Sequence, residues 1–278
     1  MEDRLDRQGE PPPTRVSGAP ARADLPRDTG GLPALPSAYD RALDRGLAGL
    51  RLGLTDPARA AIATHVRLLL AWNAAINLTA IDDPEAVAIR HVVDSLTALP
   101  LLRDGEDILD LGSGGGFPGL PLAAALPAAH VTLVDSVAKK GAFLEVAVAA
   151  AGLAERVTVT VARAEALAGS PRDRRRRAGP WHAVLARGVA DLAELVELAL
   201  PLLDMGGRLV AWKRGDLGDE LRAAGRAAAV LGARVPRVHP LPAAIAGLEG
   251  HVLVEVGKLR ATPVGYPRDP AVRRRRPW

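Results

Sequence analysis

Two spacings of apolar residues divide the chain into an all-helical front part and a longer part in which short apolar runs alternate with helices. In residues 39–50 and 56–75 the apolar positions recur every three or four residues, which predicts two amphipathic helices. Thr55 is the expected N-cap of the second helix, whose first turn contains a proline. The buried face of this second helix is predicted to carry Ile62, Val66, Leu69, Leu70 and Trp72.

Beyond residue 104 the apolar runs are short and alternate with helical patterns, which is typical of an α/β sheet. Strands are predicted at residues 107–111, 131–134, 157–161, 183–186, 208–212, 234–239 and 251–256. Helices are predicted at residues 138–151, 191–203 and 216–232, and Gly206-Gly207 is predicted to form a turn before the fifth strand. A sheet of seven strands follows from this count.

The composition changes along the chain and suggests four parts. Residues 1–37 are rich in proline and charge and show no apolar periodicity, so they are predicted to form a disordered tail. Residues 38–104 contain helices and no strand, and are predicted to form a small helical cap on the α/β domain at residues 105–260. Residues 261–278 are interpreted as a basic C-terminal tail.

A glycine-rich turn between the first strand and the next helix is the strongest local indication of a ligand. Gly112, Gly114 and Gly116 alternate there, and Asp110 precedes them by two residues. The dinucleotide-binding pattern requires a glycine at the sixth position, where this chain has Phe117. The observed spacing resembles motif I of S-adenosylmethionine-dependent methyltransferases, in which the acid offers an acceptor near the amino acid end of the cofactor. The alternative is a glycine-rich surface loop without a ligand.

A second acid supports an adenosine ligand without naming the cofactor. Asp135 ends the second predicted strand, near the spacing of ~20 residues at which an acid holds ribose hydroxyls in such sheets. Dehydrogenases place an acid there too, and Asp135 can also cap the following helix.

Several motifs in order resemble one family, the small-subunit rRNA guanine-N7 methyltransferases, once called glucose-inhibited division protein B. They are NLTAI, DPEAV, RHVVDSL, DLGSGGGFPGLPLA, LVDSVAKKGAFL, ARAEAL, LARGVADL and WKRG, within residues 40–258. The resemblance implies a class I S-adenosylmethionine-dependent methyltransferase fold, Rossmann-like, with an antiparallel last strand and a small N-terminal helical cap. It also implies methyl transfer from S-adenosylmethionine to N7 of a guanine in 16S rRNA or the small ribosomal subunit.

The local motifs and the resemblance together assign roles to individual residues. The expected cofactor-binding residues are Gly112, Phe117, Ala164, Glu165 and Arg187, together with Asp110, Gly114 and Asp135. The expected substrate-binding residues are Arg90, His91, Lys213 and Arg214. Without the resemblance, an ion pair between Arg90 and Asp94, four residues apart on a helix, would be the simpler interpretation. Many relatives have Asp where this chain has His182, so any role of that acid is in doubt here.

Charge and composition limit the alternatives. The net charge is +4, and the runs at residues 169–180 and 266–278 each carry five Arg and one Asp, which suits phosphate backbones but also fits solvated loops. The chain has no cysteine, which excludes disulfides, cysteine-ligated zinc and pyrimidine C5 methylation through a cysteine adduct. No metal is expected. The chain shows no signal-peptide or membrane-spanning run, so a cytoplasmic protein is expected. It is also expected to act as a monomer.

Guanine N7 has a lone pair and no proton, so its methylation needs alignment rather than a general base. We therefore predict binding residues and no catalytic acid or base. An exocyclic-amine enzyme would carry an Asn/Asp-Pro-Pro-aromatic motif, which is missing. The alternatives are a small-molecule methyltransferase on the same fold and a non-catalytic RNA-binding module. A nicotinamide oxidoreductase is disfavoured by Phe117.

Overall fold

The computed structural model describes residues 25–168, 181–242 and 245–278. Most of the predicted disordered tail and the whole Arg-rich run at residues 169–180 therefore lie outside the described residues. The described part forms a seven-stranded sheet with helices on both faces, as predicted.

The sheet is parallel except for one strand. β1 to β7 are Asp107–Leu111, His130–Asp135, Val157–Val161, Trp181–Arg187, Leu203–Arg214, Arg237–Pro240 and His251–Gly257. Their order is β3-β2-β1-β4-β5-β7-β6, and β7 is antiparallel to both of its neighbours. β1 and β4 are neighbours in the sheet, and the strand order reverses direction at this pair. The carboxyl ends of these two strands therefore flank a crevice, which is the usual ligand position in open α/β sheets. The predicted Rossmann-like architecture with an antiparallel last strand is confirmed.

Ten α-helices occur in the described parts of the chain. α1 to α5 are Ser37–Leu50, Asp56–Ile76, Pro84–Val87, Asp94–Leu96 and Gly119–Ala125. α6 to α10 are Ala138–Ala150, Ala164–Leu167, Leu192–Ala199, Gly218–Leu231 and Pro270–Arg275. A π-helical turn, Ala88–Val93, joins α3 to α4. The predicted N-cap of α2 is present, because the Thr55 side chain accepts a hydrogen bond from the backbone N–H of Ala58.

Alternate residues of the strands supply two apolar cores, one on each face of the sheet. Ile108 and Leu133 point to the face covered by α5 and α6, and this core continues without a break into the cap helices α1 and α2. Leu109 and Val134 point to the opposite face, which α8 and α9 cover. The cap therefore shares its core with the sheet, and this places α2 directly behind the glycine turn.

The fifth strand is longer than predicted. The helix predicted at residues 191–203 ends at Ala199, and β5 begins at Leu203 and runs through the predicted turn at Gly206-Gly207. The register with β4 shifts at this point, and Gly206 has a φ of 80°. The two glycines thus form an irregularity inside the strand, as glycines in strands often do, instead of ending it.

Both predicted tails pack onto the domain where the structure describes them. In residues 25–36 Leu25 is buried, and the Nε1–H of Trp72 donates to the Pro26 carbonyl at 2.8 Å. Arg67 donates to the carbonyls of Thr29 at 3.0 Å and Pro33 at 2.9 Å. The expectation of disorder does not hold for this stretch, because prolines exclude a helix but leave an extended chain free to pack. Residues 266–278 pack against α8 and are likewise not a free tail.

Candidate cofactor and substrate site

The glycine turn has the backbone conformation that its sequence predicts. Gly112, Gly114 and Gly116 have φ values of 78°, 56° and 90°, a region that residues with a Cβ rarely adopt. The turn is tied to β2, because the N–H groups of Gly112 and Ser113 both donate to the Val134 carbonyl, at 2.8 and 2.9 Å. A Cβ at Gly114 would enter open space, with its nearest neighbour 3.9 Å away. The turn is therefore rigid and leaves room for a ligand above it.

Asp135 lies beside this turn at the end of β2. Its Oδ2 accepts a hydrogen bond from the Gly114 N–H at 3.0 Å, and its Oδ1 accepts one from the Val137 N–H at 2.9 Å. Lys140 lies 3.8 Å from the same carboxylate. The carboxylate thus stabilises both the glycine turn and the start of α6, while it remains on the wall of the crevice.

A cavity of about 230 Å³ opens at the carboxyl ends of β1, β2 and β3. Four of the predicted cofactor residues line it, namely Gly112, Asp135, Ala164 and Glu165. They come from three separate loops, which the parallel sheet brings to one edge.

Asp110 lies elsewhere than expected. Its side chain is fully buried beneath the turn, where Oδ2 accepts a hydrogen bond from the Gly119 N–H at 3.0 Å. A Cβ at Gly119 would lie 2.6 Å from that oxygen, so the helix approaches the carboxyl as closely as only glycine permits. Burial raises the pKa of Asp110 to about 7. In this geometry the carboxyl supports the turn from below and does not line the cavity, in contrast to the predicted contact with the cofactor.

Phe117 lies between two histidines behind the turn. Its ring centroid is 4.6 Å from that of His65 and 4.7 Å from that of His91, and the His91 pair is stacked. The Nε2–H of His65 donates to the Gly115 carbonyl at 2.7 Å, and burial lowers the pKa of His65 to about 4. His65 is a residue of the site that was not predicted from the sequence. Its one signal is that a histidine falls on the otherwise apolar face of α2.

The end of β4 carries a polar cluster built around Arg187. Arg187 Nη1 donates to Asp94 Oδ2 at 2.9 Å and to the Arg90 carbonyl at 3.1 Å. The other oxygen of Asp94 lies 3.1 Å from Nδ1 of His251, a residue that the sequence analysis did not single out. The simpler sequence interpretation, an Arg90–Asp94 ion pair, is therefore wrong: Asp94 pairs with Arg187, and Arg90 is exposed.

His91 is held neutral in a single tautomer within this cluster. Burial and the charge of Arg187 lower its pKa to about 4. Because Arg187 Nη2 donates to Nδ1 at 3.1 Å, the ring proton lies on Nε2 and is donated to Thr79 Oγ1 at 2.7 Å. With Phe117 on its face, His91 forms a fixed aromatic wall beside Arg187.

The two predicted basic substrate residues on β5 differ in their surroundings. Lys213 donates to the Ala190 carbonyl at 2.9 Å and is ion-paired with Glu220, and its side chain is only 13% exposed. This lysine joins β5 to the loop after β4, so it is not free to bind RNA phosphate as expected. Arg214 is exposed at the carboxyl end of the same strand. His182 lies at the amino-terminal end of β4, away from the crevice. It accepts a hydrogen bond there from the Asp107 N–H at the start of β1.

Glu165 has a partner that its neighbours in sequence do not predict. It is ion-paired with Arg273 of α10, which lines the same cavity. Burial acts to raise the pKa of Glu165, but the hydrogen bond and charge of Arg273 outweigh it, so the pKa lies below its ordinary value. The carboxyl is therefore an anion at neutral pH.

Two features are absent from the residues that the structure describes. None of their helices is long and apolar enough to cross a membrane. Nor do these residues include a group of three or more His, Cys, Asp or Glu side chains that could hold a metal ion.

Comparison with known proteins shows to which family the chain belongs. A family model described as rRNA small subunit methyltransferase G matches residues 59–246. A ribosomal RNA small subunit methyltransferase G of Roseiflexus castenholzii is 44% identical over 210 residues, covering 75% of this chain and 87% of the relative. Its counterpart in Deinococcus radiodurans is 42% identical over 241 residues, covering 86% of this chain and 92% of the relative. Among solved structures, an O-methyltransferase from Bacillus cereus is 19% identical with a TM-score of 0.49. The match covers 70% of this chain and 90% of the solved one. The chain belongs to the rRNA small subunit methyltransferase G family.

Proposed function

We propose that the protein transfers the methyl group of S-adenosylmethionine to N7 of a specific guanine in the 16S rRNA of the small ribosomal subunit. The observation that carries the proposal is the cavity at the carboxyl ends of the parallel strands, in which the glycine turn, Asp135 and Glu165 converge. Membership of the family supports the choice of rRNA as the substrate.

The residues of the cavity suit this cofactor. Asp135 offers a carboxylate for the two ribose hydroxyls, and the backbone of Ala164 with the Glu165 carboxylate offers a donor and an acceptor for adenine. The open space above Gly114 allows the ligand to approach the backbone closely. Phe117 and Arg187 lie at the side of the turn where the amino acid end would be held. When bound, the cofactor supplies an electrophilic methyl group on a sulfonium sulfur.

The residues of the chain bind and align, and none is required to take a proton. The guanine N7 lone pair forms the new N–C bond while the electrons of the S–C bond pass to sulfur, so the ring becomes cationic and no proton leaves. His91 is neutral, and its one acceptor nitrogen is occupied by Arg187. We propose that the His91–Phe117 wall and Arg187 hold the reacting groups and exclude water. Near-attack alignment of this kind can supply about 7–11 kcal/mol.

We assign the RNA contact to the exposed arginines at the rim of the crevice, Arg90 and Arg214. Lys213 is assigned instead to the support of the loop, because Glu220 already neutralises it. Replacing Arg90 or Arg214 with Gln should raise KM for RNA and flatten its salt dependence, without change in cofactor affinity. Arg237→Gln on the edge strand β6, an exposed arginine outside the crevice lining, is the matched control. Equal effects of all three substitutions would contradict the assignment.

The test of the reaction is methyl transfer from labelled S-adenosylmethionine to small ribosomal subunits and to deproteinised 16S rRNA, with nucleoside mass spectrometry of the product. Labelled 7-methylguanosine is expected, and the better of the two substrates shows when during assembly the enzyme acts. The Gly114→Leu variant, which fills the space above the turn, is the inactive control. Cofactor binding without label in RNA would refute the proposal in favour of a small-molecule methyltransferase.

We also propose that the protein acts as a monomer in the cytoplasm, where it meets its substrate, the small ribosomal subunit. Light scattering of the active fraction tests the first point, and a dimer mass would contradict it.

A further inference from the structure

The C-terminal segment (residues 266–278) is anchored to the domain by one buried carboxylate. Glu197 of α8 is fully buried and accepts hydrogen bonds from the backbone N–H of Arg268 at 2.6 Å and from its Nη2 at 2.6 Å. The Nε1–H of Trp278 donates to the same carboxylate at 2.7 Å. The guanidinium of Arg268 also lies 4.6 Å from the Trp278 ring. Because a buried carboxylate is strongly destabilising without partners, this segment is an integral part of the domain.

This anchoring carries Arg273 to the cofactor cavity. Asp269 caps α10 by accepting from the Ala271 N–H at 2.7 Å, and one turn later Arg273 points inward and is 8% exposed. Its Nη1 donates to the Arg268 carbonyl at 2.7 Å, its Nε donates to Glu194 at 3.0 Å, and its Nη2 pairs with Glu165 Oε1. The guanidinium is thus held by three acceptors and has little freedom to move.

Arg273 also separates two cavities. It lines the cofactor cavity together with Glu194, and the same pair lines an adjoining cavity of about 410 Å³ between α8, α9 and the C-terminal segment. The ion pair therefore forms a partition at the Glu165 end of the cofactor cavity. Without the partition, this end of the cavity would open towards the larger space.

We propose that Arg273 is a positioning residue for the adenine end of the cofactor, which acts by holding the Glu165 carboxylate in place. The inference rests on the proposed function, because that function assigns Glu165 to the adenine. Glu165 follows a loop and is partly exposed, so an unpaired side chain would lose rotamer freedom whenever the cofactor binds. Arg273 holds Oε1 beforehand and leaves Oε2 to the ligand, which reduces this entropic cost of binding.

Coupling of this kind acts in both directions. If the C-terminal segment favours cofactor binding, the bound cofactor must stabilise the segment by the same free energy. Hydrogen exchange of the backbone amides in residues 266–278 of the wild-type chain should therefore slow when S-adenosylhomocysteine is added. The same exchange with and without ligand would overturn the proposal without the need for any variant.

The direct test measures the Kd of S-adenosylhomocysteine by titration calorimetry, in the absence of RNA. Arg273→Gln should raise Kd by about tenfold. This is the effect expected when Glu165, the residue that contacts the ligand, loses one charge-assisted hydrogen bond. Arg273→Lys keeps the charge but not the three-pronged geometry, so its Kd should be intermediate. Arg274→Gln, an exposed arginine on the same helix, is the matched control and should stay within about twofold of the wild type.

A double-mutant cycle separates action through Glu165 from a general loss of structure. In the Glu165→Gln background, Arg273→Gln should change Kd by less than about twofold, because the partner through which it acts is already gone. A full tenfold loss in that background would overturn the proposed route. In turnover assays the Arg273 variants should raise KM for the cofactor and leave KM for RNA unchanged.

The two proposals can fail separately. Normal cofactor binding by the wild type with no effect of Arg273→Gln overturns the role of Arg273 alone. Cofactor binding that depends on Arg273, without methylation of rRNA, supports this role and refutes the proposed reaction. A wild-type chain that binds no cofactor refutes both.

Discussion

Asp94 allows a graded test of the polar cluster at the mouth of the crevice. Its side chain is 3% exposed and accepts from Arg187 at 2.9 Å, and its second oxygen lies 3.1 Å from His251 Nδ1. Arg187 is itself only 17% exposed. Asp94→Ala would leave this guanidinium without its counter-charge in a place that water reaches poorly. Breaking a buried pair in this way costs about 3–5 kcal/mol of the free energy of unfolding.

Asp94→Asn keeps the shape and removes only the charge. The amide oxygen can accept from Arg187, and the amide N–H can donate to Nδ1 of His251. The bond from Arg187 keeps its charged donor, while the bond with His251 loses its charged partner and falls from about 1.5–3 kcal/mol to about 0.5–1.5 kcal/mol, so the expected loss is about 1–2 kcal/mol. Glu85→Gln is the control, because the Arg45–Glu85 pair is 61% and 51% exposed and should contribute less than about 1 kcal/mol.

Urea unfolding at pH 7.5 measures all three variants against the wild type, with stability taken from midpoints at an unchanged m value. The expected order of loss is Asp94→Ala, then Asp94→Asn, then Glu85→Gln. If Asp94→Ala lost no more than Glu85→Gln, Asp94 would not neutralise Arg187 in the folded protein, and our account of the cluster would be refuted.

Substitutions at three other residues test the glycine turn and the contacts of the helical cap. Gly114→Leu should cost about 1–2 kcal/mol of stability, because of its positive φ, and should raise the cofactor Kd more than about a hundredfold; unchanged affinity in calorimetry would refute our placement of the cofactor. His65 has a lower pKa in the folded than in the unfolded chain, so its contribution is fully present above pH 6.5 and is lost as the pH falls towards 4. The stability advantage of the wild type over His65→Gln in urea unfolding should therefore be about 2 kcal/mol smaller at pH 5 than at pH 7.5, and a constant difference would contradict the assignment of a neutral His65. Arg67→Ala should cost about 2–4 kcal/mol and expose residues 25–36 to proteolysis, since Arg67 donates to Thr29 and Pro33 in that stretch; wild-type resistance to protease would show that the stretch is held by other contacts.

Local patterns were sufficient for the parts of the molecule that depend on near neighbours in sequence. The strand periods, the N-cap at Thr55 and the positive φ values of the alternating glycines are all set within a few residues. The position of Asp135 beside the turn followed as well, because parallel strands bring their carboxyl ends to one edge of the sheet. The family motifs then identified the class of reaction.

Choices between possible partners were decided by the tertiary structure. Asp94 could pair with Arg90 four residues earlier, but the fold brings Arg187 to it from 93 residues away. In the same way, Asp110 was expected to face the ligand, yet α5 packs so closely on it that the carboxyl lies beneath the turn. Such choices depend on the packing of whole elements, which no local spacing contains.

The C-terminal segment is the clearest case. Its sequence indicated charge but gave no direction for it, and runs of arginine are most often solvated. The structure turns Arg268 and Arg273 inward, the second onto Glu165 from a distance of 108 residues along the chain. Composition alone thus determined that the segment is basic. Only the folded structure determined which of its charges face the protein, because it places the buried Glu197 of α8 and the Glu165 carboxylate of the cofactor cavity against the segment.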